Sequence, residues 1–263
     1  KAVKKGKGYD LLRVRGVCVE DTPCEGKLAF MFTGQGSQYI GMGLDLAAEY
    51  PVVRKTFDQA NAVMTPELGR PLTDYVAGNV CDSDEASFEA LRATEISQPA
   101  TLTVDTSLLR LLAAYGVYPD VVAGHSLGEY GALVAAGMLS FEDALKAVSA
   151  RGREMAAVEI PDTGKMAGIA AAPQVVEEVL KGISGYVVAA NKNSPNQTVI
   201  AGATDAVLEA SEAFRDRDIT VYPLPVSHAF HSSIVAPATE PLRRVIDRLD
   251  LRSPRRPITT NVT

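Results

Sequence analysis

Pro119-Asp120-Val121-Val122-Ala123-Gly124-His125-Ser126-Leu127-Gly128 sets a short apolar run directly against a glycine-flanked turn that carries a serine. The run reads as a buried strand over 119–123, and residues 127–139 have helical spacing, so the serine stands where a strand hands over to a helix. A sharp turn of this kind lifts the hydroxyl above a sheet. It leaves no room for side chains two residues to either side, which Gly124 and Gly128 satisfy. The helix behind Ser126 directs free backbone N–H groups and the positive end of its dipole to the same spot, which suits an oxyanion. A glycine-rich turn without chemistry is the plain alternative, and the strand before it and the helix after it argue against that.

Upstream, residues 28–33 form a second apolar run that ends at Gly34-Gln35-Gly36. This turn is no dinucleotide loop, because Gly41 falls too late for G-x-G-x-x-G. Helical spacing follows over 42–64, and again over 98–115, where Leu102, Leu108, Leu109 and Leu112 are expected to cover one face. Downstream, 141–158 reads as a helix carrying Arg151, with Pro161 and Gly164 marking its end. Strands alternating with helices predict an α/β fold with a mainly parallel sheet. Between 165 and 222 the elements shorten: strand 166–171, helix 173–181 with proline in its first turn, strands 186–190 and 197–201 around an Asn-Ser-Pro-Asn turn, helix 204–217 and strand 219–222. That βαββαβ order is the ferredoxin-like split unit. Residues 223–233 then read as an irregular loop returning to the larger part, and 237–249 as a helix.

Composition narrows the function classes. With 263 residues, 46% of them hydrophobic, the chain can bury the core of one large or two small domains. A net charge of -6 argues against a non-specific nucleic-acid binder, since the one basic run, Lys1, Lys4, Lys5 and Lys7, belongs to a glycine-rich start read as a linker or appended segment over 1–26. No apolar stretch is long enough to cross a membrane and no signal peptide is visible, so no membrane partner and a cytoplasmic location are expected. Cys18, Cys24 and Cys81 match neither a zinc site nor a redox pair, and no metal is expected.

A serine hydroxyl needs a base, and the chain offers three histidines. His125 adjoins the serine in a turn, so its ring is expected to point away from the hydroxyl. His228 and His231 lie together in Ser227-His228-Ala229-Phe230-His231-Ser232, a loop returning to the larger part. Arg151 taken alone reads as a solvated helix charge, and Asn191 and Asn193 as turn residues.

Taken in order, Phe32-Thr33-Gly34-Gln35-Gly36-Ser37-Gln38, Gly124-His125-Ser126-Leu127-Gly128-Glu129-Tyr130, Arg151-Gly152-Arg153-Glu154-Met155 and His228-Ala229-Phe230-His231 resemble the malonyl-coenzyme A:acyl carrier protein transacylase family. That family includes the acyltransferase domains of modular and iterative polyketide synthases and of fatty acid synthases. The resemblance covers about residues 28 to 263. It implies Ser126 as nucleophile, His231 as general base, the backbone N–H groups of Gln35 and Leu127 as oxyanion hole, and Arg151 as the binder of the free malonate carboxylate. Gln98, in Ser97-Gln98-Pro99, matches a further active-site glutamine, and His125 and His228 neighbour the acyl pocket. The implied fold is a hydrolase-like large subdomain over 27–164 and 223–263, with an inserted ferredoxin-like small subdomain over 165–222.

The implied substrate is malonyl-coenzyme A, with no permanently bound cofactor, and the acceptor is the phosphopantetheine thiol of an acyl carrier protein. Ketosynthase and other domains of one megasynthase are the further partners implied. His-Ala-Phe-His resembles malonyl-selective members, with Phe230 filling the space that a C2 methyl group would need. Two departures stand out: the family usually has proline at the position of Thr33, and it continues past residue 263 with a segment whose backbone orients the base, so the large subdomain is expected to be shortened here. An esterase or thioesterase, with an acidic residue between serine and histidine in the chain, and a non-catalytic docking domain are the competing functions. Arg151 favours transfer of a charged acyl group over the first, and the intact Ser126, His231 and Arg151 argue against the second.

Overall fold

The computed structural model describes residues 25–262, so the linker expected over 1–26, with its lysines and Cys18 and Cys24, lies almost wholly outside the described residues. Strand β1 (Ala29–Phe32) runs parallel to β2 (Val121–Gly124), which in turn runs parallel to β7 (Ile258–Thr259), giving the order β1-β2-β7. The register pairs Phe32 with Gly124, so both strands end side by side. The turn after β1 and the serine turn after β2 therefore emerge at one edge of the sheet.

Around this sheet lie α1 (Leu44–Glu49), α2 (Pro51–Leu68), α3 (Leu72–Ala77), α4 (Asp84–Arg92), α5 (Thr94–Ala114), α6 (Gly128–Ala136) and α7 (Phe141–Ala156). Their core includes Phe57, Met64, Leu72, Leu91, Leu102 and Leu145, all at most 2% exposed. Each such side chain contributes about 1.5–3 kcal/mol by leaving water. The helical stretch expected over 42–64 is two helices: Pro51, at the first position of α2, drives Tyr50 into an extended conformation (φ -111°, ψ 116°) that no helix continues through. Nor do the four leucines of α5 share a face. Leu102 is buried, but Leu108 and Leu112 are 39% and 40% exposed, because they project roughly a third and a quarter of a turn away from it.

Small residues form the buried face of α5 instead, including Ser97, Thr101 and Thr103. They permit the close crossing of α7, where a Cβ on Gly152 would stand 2.6 Å from Glu95 Cα. Helices α3 and α4 were not anticipated. Ser83 caps α4 by accepting from Ala86 N–H, and Asp84 and Glu85 complement its dipole, a start signal present in the sequence.

The second sheet is antiparallel. It comprises β3 (Lys165–Ile169), β4 (Val187–Ser194), β5 (Gln197–Gly202) and β6 (Val221–Leu224) in the order β4-β5-β3-β6, with α8 (Pro173–Leu180) and α9 (Thr204–Arg215) packed on it. This order, with the βαββαβ succession, is the ferredoxin-like arrangement. It has its own core of Ile169, Val176, Ile200 and Phe214. Strand β4 runs past the end expected at 190, which makes Asn191 and Asn193 strand residues. The helix expected over 237–249 divides into a 3-10 turn (Ser233–Ala238) and α10 (Thr239–Ile246), with Pro237 inside the former.

One half-buried acid supports the turn after β1. Asp105 of α5 accepts a hydrogen bond from the Thr33 hydroxyl at 3.3 Å, and burial pushes its carboxyl up from 3.8 to about 7. Between those values the folded chain holds a proton that the unfolded chain has lost, so folding stability falls as pH rises from about 4 to 7. Asp105→Asn keeps the shape without the charge. Its gain in unfolding free energy over the wild type is expected to grow by roughly 1–2 kcal/mol from pH 5 to pH 8, after allowance for partial exposure. Denaturant melts at the two pH values measure this, and an equal gain at both would show that the carboxylate ionises without penalty.

Candidate active site

Three non-glycine residues among those described have a positive φ: Ser126 (53°), Asp218 (58°) and His231 (58°). Left-handed backbone costs an L-residue of order 1–3 kcal/mol and survives only where its surroundings enforce it. Two of the three meet here, with Ser126 Oγ 2.7 Å from His231 Nε2. The glycines around the serine leave space where none exists for a side chain. A Cβ on Gly124 would fall 2.0 Å from Gly128 C, one on Gly128 would fall 2.3 Å from Phe32 O, and one on Gly34 would fall 2.7 Å from His125 O.

His231 reaches the serine from the loop after β6. That loop is pinned where Ala229 N–H donates to Thr163 O (2.8 Å) and where Phe230, 8% exposed, packs with Met166, Val199 and Ala201 of the antiparallel sheet. The His231 ring opens onto a cleft, yet the protein around it desolvates an imidazolium. This, with repulsion from the Arg151 and His125 charges, lowers its pKa from 6.5 to about 4. At neutral pH it is an uncharged imidazole, able to take the hydroxyl proton at Nε2.

Arg151, on α7, is 9% exposed, and its guanidinium donates to Gln98 Oε1 at 2.9 Å. Burial lowers its proton affinity, opposed by Tyr130 and Glu129, but a guanidinium stays charged in such a setting. Among the described residues no carboxylate lies within ion-pair distance of it. Gln98 is wholly buried behind it, away from the cleft. The backbone N–H groups of Gln35 and Leu127 donate to no protein acceptor among the described residues. The Gln35 side chain contacts Thr94 Oγ1 at 3.5 Å, and the Leu127 side chain is 1% exposed.

His125 faces the antiparallel sheet, its Nε2 2.9 Å from Asn193 Oδ1. His228 lines the cleft, but its ring nitrogens are engaged by Ser227 Oγ (3.1 Å) and Val158 O (3.2 Å), which leaves it as an anchor of the loop. Sequence reasoning missed Asn261, whose Oδ1 accepts from Ser126 N–H at 2.8 Å across 135 residues of chain. It also missed Glu129, whose Oε1 accepts from Asn261 N–H at 2.7 Å. No local pattern points to either contact.

The cleft between the two sheets has a volume of about 1090 Å³ and is lined by Gln35, Ser126 and Arg151 on one side and Met166, Asn191 and Tyr222 on the other. A hydroxyl bonded to a neutral imidazole and a buried cation in one cleft, with two unpaired N–H groups in the turns beside them, suit attack on a carbonyl compound that carries a negative charge at its far end.

Comparison with known proteins agrees with this chemistry. The family model described as "Acyl transferase domain" matches residues 29–263. The chain is 41% identical to polyketide synthase GfsA of Streptomyces halstedii over 88% of its own length and 3% of that protein. It is 38% identical to the malonyl CoA-acyl carrier protein transacylase of Bacillus subtilis over 90% of its own length and 73% of the relative's. In a solved complex of a type II polyketide synthase acyl-carrier protein with its malonyl-transacylase, the matching chain is 35% identical with a TM-score of 0.81, covering 90% of this chain and 75% of that one. Since the family model spans nearly all the described residues and such relatives align along about nine-tenths of its length, the chain belongs to the acyl transferase domain family.

Proposed function

We propose that the chain moves malonyl from coenzyme A to the phosphopantetheine thiol of an acyl carrier protein through an ester on Ser126. The observation that carries this reading is the buried Arg151 cation, without a carboxylate partner among the described residues, in the same cleft as the Ser126–His231 pair. A guanidinium grips a carboxylate with two parallel hydrogen bonds, and a malonyl group has a carboxylate at the end away from its thioester.

In the first half-reaction Ser126 Oγ attacks the thioester carbonyl while its proton passes to His231 Nε2. The tetrahedral oxyanion is held by the Gln35 and Leu127 N–H groups. Collapse breaks the carbon–sulfur bond, and the leaving thiolate takes the proton from His231. The second half repeats these steps with the carrier's thiol as attacker and Ser126 Oγ as leaving group. Among the described residues no carboxylate orients His231, which supports a serine–histidine pair over the three-residue arrangement of most esterases. The names of the relatives support the substrate and acceptor. In the polyketide synthases first among these matches, the chain spans between 3% and 11% of the length. By that likeness its further partners are the ketosynthase and other domains of one synthase. Phe230, against His228 and beside the base, supports malonyl over bulkier extender units.

Intact mass measurement with malonyl-coenzyme A is expected to show a single adduct that disappears when carrier protein is added, and no adduct on Ser126→Ala. Labelling of that variant elsewhere would overturn the assignment, and free malonate in place of carrier loading would indicate a hydrolase. Arg151→Ala is expected to lose about 30- to 1000-fold in kcat/KM with malonyl-coenzyme A and only a few-fold with acetyl-coenzyme A, because only malonyl leaves a charge unpaired. Equal losses would make Arg151 structural. Finally, kcat/KM reports the free enzyme's base, so at pH 5.5 it is expected to stay within about twofold of its value at pH 7.5. An imidazole with the ordinary pKa of about 6.5 would already have lost roughly tenfold.

A further inference from the structure

Asn261 stands two residues past the end of β7, and its side chain enters the serine turn from beneath. Oδ1 accepts from Ser126 N–H at 2.8 Å and Nδ2 donates to Gly124 O at 2.7 Å. Its own N–H donates to Glu129 Oε1, in the first turn of α6, at 2.7 Å. One planar amide thus engages the two peptide groups that flank His125, immediately before the left-handed Ser126. We infer that Asn261 is a positioning residue for the nucleophile: it holds Ser126 in its left-handed conformation and, by engaging the Ser126 N–H, leaves the N–H groups of Leu127 and Gln35 to face an oxyanion. This rests on the reading of Ser126 as nucleophile.

The need for such a residue follows from the topology. Strand β7 pairs with Val122 and Ala123 and goes no further, so the chain beyond Ala123 has no strand partner on that side. A left-handed residue then turns its N–H away from sheet and helix alike, and each backbone polar group that leaves the ladder needs a partner. A primary amide offers a donor and an acceptor in one plane, as a strand's own peptide would. An aliphatic residue at 261 offers neither, which frees Ser126 to relax toward ordinary φ and carries its hydroxyl away from His231. Aspartate offers only the acceptor, and places a negative charge near the developing oxyanion.

The test measures acyl-enzyme formation from malonyl-coenzyme A in single turnovers, and labelling of Ser126 by a neutral fluorophosphonate, in the wild type, Asn261→Ala and Asn261→Asp, with thermal melts to establish folding. The fluorophosphonate uses the nucleophile and the oxyanion donors but not Arg151. Both variants are expected to lose about 10- to 100-fold in kcat and in fluorophosphonate labelling, with KM for malonyl-coenzyme A changed less than about threefold. Rates within about twofold of wild type in either folded variant, or a loss confined to KM, overturn the inference. Should the alanine variant not fold, the aspartate variant, matched in size, decides by the same criterion. If the wild type labels with the fluorophosphonate but takes no malonyl group, the transfer reading fails while the labelling rates still judge Asn261.

Discussion

Everything at the serine end of the cleft depends on how closely the backbone of the serine turn approaches itself and β1. Gly124 touches the Gly128 peptide, and Gly128 touches the Phe32 carbonyl, at distances that exclude any side chain. That contact accompanies the reversal between β2 and α6, in which Ser126 takes a positive φ. Because β1 and β2 end in register, the same contact draws the Gly34–Gln35 turn against His125. The hydroxyl, the unpaired N–H groups and the start of α6 therefore share one origin, and moving any of them moves the rest.

The polar parts of the cleft have different supports. Arg151 is held by helix packing, through the α5–α7 crossing and the Gln98 amide. His231 is held by a loop tied through His228 to the segment that follows α7 and through Phe230 to the antiparallel sheet. The guanidinium and the imidazole thus meet the serine from separate elements, an arrangement that fixes distances without a shared loop. The same enclosure keeps His231 uncharged near neutrality, so the fold selects the protonation state as well as the position.

Much of this was legible in the sequence, for local reasons. The serine turn announces itself because glycine is required at fixed offsets between an apolar run and a helical pattern, and the βαββαβ succession follows from periodicity and turn residues. Where periodicity misled, the cause was packing: α5 buries serines and threonines beside Leu102, while Leu108 and Leu112 project away from that face. The break at Tyr50 was readable from Pro51, and α4 from its Ser83 cap. Spacing alone presented His228 and His231 as equals. Ring hydrogen bonds of one with the Val158 carbonyl, which accepts, and with the Ser227 hydroxyl, and a left-handed backbone at the other, separate them, and neither is written in a residue pattern. Asn261 was invisible for a similar reason, since only the pairing of β7 with β2 brings it beneath the turn.

Gly152 follows Arg151 directly, and the space its missing methyl group leaves is filled by the backbone of Glu95 and Thr94. The depth of the Arg151 guanidinium in the cleft is consequently set by the spacing of two helix axes as well as by the reach of its side chain. A change of residue at 152 would act as a wedge between those axes and retract the guanidinium with its helix. The depth of this buried charge is thereby written into the backbone of a neighbouring helix as well as into the arginine itself.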